Sequence, residues 1–167
     1  MANLHFQDEF LEAYDKYSDA IFRHCYFRIG NRELAKDLMQ EAFMRTWQYL
    51  TQQKKSLDNI RAFLYRVANN LIVDEVRKKR ALSLEEQMEH GFAPSSPDEN
   101  IKDNIDGKSL FVLLEKLSRE YREVVIMRYI DDLSPQEIGE ILGVSANVVS
   151  VRINRALQKL RTFLPKP

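Results

Sequence analysis

The sequence is poor in the residues that staple, bend or anchor a chain: one cysteine, five glycines and five prolines among 167 residues, and no long apolar run. The lone cysteine, Cys25, forbids an internal disulfide and fits a reducing compartment. Ile21 and Ile29 share its helical face, which favours a packed thiol over a reactive one. No segment approaches the run of about 20 apolar residues that a membrane helix needs. Met1 to Glu12 lacks the basic-then-apolar order of a signal peptide, so no membrane insertion is expected and the expected location is the cytoplasm. The histidines His5, His24 and His90 have no metal-ligand spacing with Cys25. No glycine-rich phosphate loop follows a strand, and no strand pattern is convincing. An enzyme is therefore a poor reading, and neither a metal nor a cofactor is expected. Asp37 and Glu41 could hold a cation, but carboxylates four residues apart are commonplace on surface helices.

Net charge is missing too, since 25 basic residues balance 25 acidic ones, and this argues against a general nucleic-acid coat. The distribution is uneven. Residues 1–80 carry 14 basic and 11 acidic side chains, residues 81–109 carry 2 and 7, and residues 110–167 carry 9 and 7. Two mildly basic blocks thus flank an acidic connector. In the last block every acid lies at or before Glu140, while Arg152, Arg155, Lys159, Arg161 and Lys166 follow without one. Positive potential is concentrated at that end, where DNA is expected.

What the chain does have is helical periodicity and bulk, with 44% hydrophobic residues. Phe10, Tyr14, Tyr17, Ile21, Cys25 and Ile29 recur at helical steps and stop at Gly30. Asn31 can cap a second helix with Leu34, Leu38, Ala42, Thr46 and Tyr49 as its buried face. Thr51 to Asp58 is polar and reads as an unpacked loop. A third helix, with Ile60, Leu64, Val67 and Leu71 inward, is expected to end in the run Arg77-Lys78-Lys79-Arg80. Residues 81–108, with Pro94-Ser95-Ser96-Pro97 and a short helical turn at Ser83 to Met88, read as a linker. The period returns with Leu110, Leu113, Leu114 and Leu117, then with Tyr121, Val124, Val125 and Tyr129 before Asp131 and Asp132. The expected fold is all-α: two small helical domains, residues 1–80 and 109–167, joined by a flexible acidic linker.

The C-terminal domain carries the strongest local signal. Ser134-Pro135-Gln136-Glu137 combines a capping serine, a proline at the first helical position and a glutamate that can reach back. That helix buries Ile138, Ile141 and Leu142 and breaks at Gly143, which can take a positive φ, with Val144 filling the gap. Ser145 can cap a second helix with Val149, Ile153, Ala156 and Leu160 inside. Gly139 stands where the two helices approach closely. This is a helix-turn-helix, whose second helix enters a DNA groove. Its outward face offers Asn147, Val148, Ser150, Val151, Arg152, Asn154 and Arg155: amide, hydroxyl and guanidinium groups for base edges, and valine for a thymine methyl. An ordinary helical hairpin with a solvated face is the plainer alternative.

The run from Leu117 to Ser145, LSREYREVVIMRYIDDLSPQEIGEILGVS, with the helix to Arg161, resembles region 4 of sigma-70 family initiation factors, closest to the extracytoplasmic-function group. Independently, DLMQEAFMRTW at Asp37 to Trp47 resembles region 2.2 of that family, and FLYRVANNLIVDEVRKKR at Phe63 to Arg80 resembles regions 2.3 and 2.4. The resemblance covers nearly the whole chain outside the linker and the first few residues. It implies a transcription initiation factor with core RNA polymerase and promoter DNA as partners. Residues 1–80 would dock on the polymerase and engage the minus-ten element, and residues 109–167 would read the minus-35 element.

The resemblance also implies residue roles. Asp37, Gln40, Glu41, Met44 and Trp47 would meet the polymerase clamp; an aromatic among acids is plausible anchor chemistry, and a solvated helical face is the alternative. Lys54, Lys55, Ser56, Asn59, Arg61, Asn70, Arg77, Lys78 and Arg80 would meet minus-ten DNA, cations holding phosphate and amides pairing with base edges. A basic run closing a helix also complements its dipole with no ligand. Ser145, Asn147, Val148, Ser150, Val151, Arg152, Asn154 and Arg155 would meet the minus-35 element. Family members often have Lys then Ser before the arginine matching Arg152; Ser150 and Val151 here imply more apolar, less phosphate-driven contacts. In the family the linker threads a nucleic-acid channel, which its acidity suits, as it would suit a plain tether. An anti-sigma factor commonly restrains such proteins, although no residue demands one here. A stand-alone helix-turn-helix regulator is the rival reading, separated from the first by dependence on polymerase.

Overall fold

The computed structural model describes the backbone of residues 2–90 and 105–166 and the side chains of residues 4–85 and 109–166. Residues 91–104 of the expected linker, including Pro94 to Pro97, lie outside the described residues. Two helical units are present, and the described residues contain no strand.

The first unit packs three helices, α1 (Ala2–Ile29), α2 (Arg32–Gln53) and α3 (Ile60–His90), each against the other two. Gly30 ends α1 with a φ of 74°. Asn31 then caps α2 as expected, its Oδ1 accepting from the Leu34 N–H at 2.9 Å. The core is built from Ile21 and Cys25 of α1, Leu38, Phe43 and Leu50 of α2, and Leu64, Tyr65 and Ile72 of α3, all buried. Ala13, Ala35, Ala42 and Ala68 are buried between them, small enough to let the helix backbones close up. Thr46 is buried on α2, with its hydroxyl satisfied by the Ala42 carbonyl at 2.8 Å. Arg28 Nη1 donates to the buried Asn69 Oδ1 at 3.1 Å and ties the end of α1 to the middle of α3.

Three local expectations are corrected. Tyr49 is exposed and lies against Phe63, ring centroids 4.8 Å apart, while Leu50 takes the buried position. After Thr46 the buried step is four residues rather than three, either of which keeps to one face of a helix with 3.6 residues per turn. Thr51 to Gln53 form the last turn of α2, not a loop. Finally, α3 does not stop at Arg80 but runs to His90, absorbing Ser83 to Met88. Nothing in that stretch breaks a helix, and exposed Lys, Arg, Leu and Glu are all good helix formers.

The second unit holds α4 (Ile105–Glu115), α5 (Arg119–Val125), α6 (Pro135–Leu142) and α7 (Ala146–Phe163). A π-helical turn, Ile126–Ile130, extends α5. Asp132, at φ 54°, ends that turn. Phe111, Leu114 and Leu117 enclose a core with Val124, Ile126, Met127, Leu133, Ile138, Val149 and Ile153. Leu110, first of the periodic leucines, is exposed, and Phe111 beside it is buried. Arg122 holds the α4–α5 corner, donating to the carbonyls of Leu114 at 3.0 Å and of Glu115 and Leu117 at 3.2 Å. These include terminal carbonyls of α4, which its own backbone leaves unpaired.

Among the described residues no helix is long and apolar enough to cross a membrane, and no group of three or more His, Cys, Asp or Glu could hold a metal ion.

Candidate functional site

In the second unit the Ser134 start is a complete capping box: its hydroxyl accepts from the Glu137 N–H at 3.2 Å, and Glu137 Oε2 accepts from the Ser134 N–H at 2.7 Å. Gly143 ends α6 at φ 71°, and Ser145 caps α7 by accepting from the Val148 N–H at 3.2 Å. A Cβ on Gly139 would lie 2.6 Å from the Val144 carbonyl oxygen, so only glycine permits this turn. The result is the expected helix-turn-helix. Val149, Ile153 and Ala156 are buried under α7, whereas Leu160 and, on α6, Leu142 are half-buried.

The outer face of α7 divides by exposure. Val148 and Val151 are 39% and 40% exposed, and Asn147, Asn154 and Arg155 are exposed beside them. Their spacing of three and four residues makes one contiguous strip. Ser150 and Arg152 flank the strip half-buried, and the Ser145 hydroxyl is committed to the cap. A strip with apolar methyls at its centre and amide and guanidinium groups around them can touch thymine methyls and base edges together.

On α2, Asp37 and Gln40 are exposed, while Glu41 is half-buried and accepts from Arg45 Nε at 2.8 Å. Met44 is 51% exposed and Trp47 half-buried. The helix does not present these residues alone. Gln7, Phe10, Leu11 and Tyr14 of α1 form the opposite wall of an open groove of about 550 Å³ floored by Phe43. Edge contacts fix its aromatics: Phe10 to Trp47 at 5.2 Å, Phe10 to Phe43 at 6.0 Å and Tyr14 to Phe43 at 4.9 Å between ring centroids. Leu11, as exposed as Met44 at 51%, stands on the rim. An apolar, aromatic-walled groove with carboxylates on one side suits a helix with an apolar stripe and basic flanks. The α1 wall was missed in the sequence because Phe10 and Tyr14 read as core and Gln7 and Leu11 lay just outside the stripe. Tyr14 and Leu11 fall at the edge of the α1 stripe, the signal that they serve a second surface.

The third set is not one cluster. Lys54, Lys55, Ser56 and Asn59 lie in the α2–α3 loop or at its end, whereas Arg77, Lys78 and Arg80 are exposed beyond the middle of α3. At 1.5 Å per residue the two groups lie roughly 27 Å apart along α3, about the rise of eight stacked nucleotides. Arg61 lies half-buried with its guanidinium 5.9 Å from the Tyr65 ring centroid. Asn59 spends its Oδ1 on the Ala62 N–H, capping α3 at 3.0 Å. Arg66 is exposed one helical turn before exposed Asn70, a residue that the i, i+4 step from Asn70 would have found. The face from Arg66 through Asn70 to Arg77 bridges loop and cluster.

Comparison with known proteins gives one consistent answer. The family model described as sigma-70 region 2 matches residues 13–82, and that for sigma-70 region 4 matches residues 108–160. The ECF RNA polymerase sigma factor SigW of Bacillus subtilis is 36% identical, over 95% of this chain and 90% of its own length. Among solved structures, the sigma factor RpoE of Bartonella quintana, crystallised with the anti-sigma factor NepR, superposes with a TM-score of 0.74 at 21% identity, covering 92% of this chain and 95% of that one. CnrH, in complex with the cytosolic domain of CnrY, superposes with a TM-score of 0.70 at 25% identity, covering 94% of this chain and 88% of that one.

Proposed function

The chain belongs to the extracytoplasmic-function group of the sigma-70 family of RNA polymerase sigma factors, and from that premise we propose how its residues divide the work. As a sigma factor it binds core RNA polymerase and directs it to promoters. Residues 1–80 take the polymerase and the minus-ten element, residues 81–108 connect, and residues 109–167 take the minus-35 element. The α1–α2 groove, with Asp37, Gln40, Glu41, Met44 and Trp47, receives the polymerase; its exposed apolar lining in an otherwise charged surface supports this. The α2–α3 loop, Arg66, Asn70 and the Arg77 to Arg80 cluster track the opened minus-ten strand. The strip of Asn147, Val148, Val151, Asn154 and Arg155 on α7 enters the minus-35 groove, flanked by Ser150 and Arg152.

The factor acts in the cytoplasm beside the polymerase and contributes binding rather than chemistry of its own. An anti-sigma factor is a further partner in this reading, as the RpoE structure has one bound, and the exposed apolar groove is the surface it would cover. The single observation that carries the proposal is an exposed apolar groove on one unit together with a helix-turn-helix on the other whose second helix lacks acids.

Transcription reconstituted from core polymerase and this chain over fragmented genomic DNA, with start sites mapped, tests it. Specific starts that vanish without the chain are expected. Arg152→Ala should weaken promoter use while polymerase binding stays intact. Tight duplex binding and repression without polymerase would instead support a stand-alone regulator and overturn the proposal.

A further inference from the structure

The loop between α2 and α3 is held more firmly than its polar composition suggests, and α1 holds it. Lys54 closes α2 at φ 49°, a conformation costly for a residue with a Cβ. Asn59 opens α3 as its cap. Between these fixed ends the Leu57 N–H donates to Glu9 Oε1 at 3.3 Å, and the Ser56 hydroxyl lies 3.2 Å from His5 Nε2. His5 and Glu9 are one helical turn apart on α1, so a single face presents both groups to the loop. The other carboxylate oxygen of Glu9, Oε2, is buried without a hydrogen-bond partner among the described residues. Burying an acceptor in that way costs stability, so the carboxylate is kept against the loop at an expense to the fold. The restraint leaves Lys54, Lys55 and Asp58 exposed in one geometry.

We propose that His5 and Glu9 are positioning residues for promoter selectivity: they set the geometry in which the α2–α3 loop meets the minus-ten element. This rests on the reading above that the loop contacts that element. A loop already ordered loses less freedom on binding and tolerates a wrong base less well, so its tethers act on discrimination between promoters.

The experiment is transcription by reconstituted holoenzyme from promoters with single-base changes across the minus-ten element, with minus-35 changes as an internal control. Glu9→Leu should lower minus-ten discrimination by roughly three- to tenfold, the consequence of losing one part-buried hydrogen bond. Minus-35 discrimination should not change. Glu9→Gln, whose amide oxygen still accepts from Leu57, should restore the parent pattern. His5→Ala, at an exposed position, should give a smaller loss of the same kind and keeps the test alive should Glu9→Leu fail to fold. A uniform fall in transcription across all promoters, without rescue by Glu9→Gln, would reduce Glu9 to a structural role and overturn the proposal. Replacing Lys54 and Lys55 with Ala separates the two readings. Unchanged minus-ten preference there removes the loop reading itself, whereas a shift there with parental behaviour in Glu9→Leu and His5→Ala removes only the tether.

Discussion

Gly139→Ala sets two physical effects against each other, and the structure decides the sign. On helix propensity alone, alanine inside α6 should stabilise by about 1 kcal/mol. The new Cβ, however, would lie 2.6 Å from the Val144 carbonyl oxygen and 3.3 Å from Ala146 N and Ser145 C. All three are backbone atoms of the turn, which no side-chain rotation can move aside. The Val144 N–H also donates to the Gly139 carbonyl at 3.0 Å, so opening the contact strains that bond as well. Overpacking costs about 1–3 kcal/mol, and a rigid backbone neighbour places this case near the top of that range. Subtracting the propensity gain leaves a net loss of about 2 kcal/mol. In a unit of this size that lowers the melting temperature by roughly 8–16 °C. Denaturation of the full chain, followed by far-ultraviolet circular dichroism and by tryptophan fluorescence, measures it. Trp47 is the sole tryptophan and lies in the first unit, so fluorescence should be unchanged while part of the dichroism transition moves to lower denaturant. A variant as stable as the parent, or more so, would refute the steric reasoning.

Gly143→Ala should be milder, about 1 kcal/mol, because a Cβ there meets nothing within 4 Å and only the φ of 71° opposes it; the same denaturation curves rank the two. Arg122→Ala should destabilise the second unit by about 1.5–3 kcal/mol, since it strips a charged donor from three carbonyls at the α4–α5 corner; amide exchange at α4 and α5 should accelerate first. Trp47→Ala should weaken binding to core polymerase by roughly 30-fold, as loss of a central aromatic anchor of about 2 kcal/mol does. Leu11→Ala, on the opposite wall, should weaken it less, and titration of each variant against core polymerase gives the comparison. Equal affinity for parent and both variants would remove the groove from the polymerase interface.

Much of the fold was legible because its signals are local. Asn31, Ser134 and Ser145 cap helices through bonds to backbone three residues away, and Gly143 ends one through its own φ. Each bond needs only neighbours in the chain, so residue type and spacing disclose it. The inward face of α7, Val149 and Ile153, follows from period alone, and with it the outward face that would read DNA.

What the chain order hides is everything that joins distant segments. The groove sets Leu11 beside Met44, the tether sets His5 beside Ser56, and Arg28 finds Asn69, pairs between 33 and 51 residues apart. Periodicity reports that a face is apolar, not which helix covers it or how much is left uncovered. Tyr49 and Leu50 show the same limit on a smaller scale, since steps of three and four both follow the helix period and only the packed neighbours select the buried one of the two. Helices and their caps are thus properties of the sequence read locally. The groove exists only where α1 meets α2, and the held loop only where α1 reaches the turn into α3, because packing alone brings their residues within reach of one another.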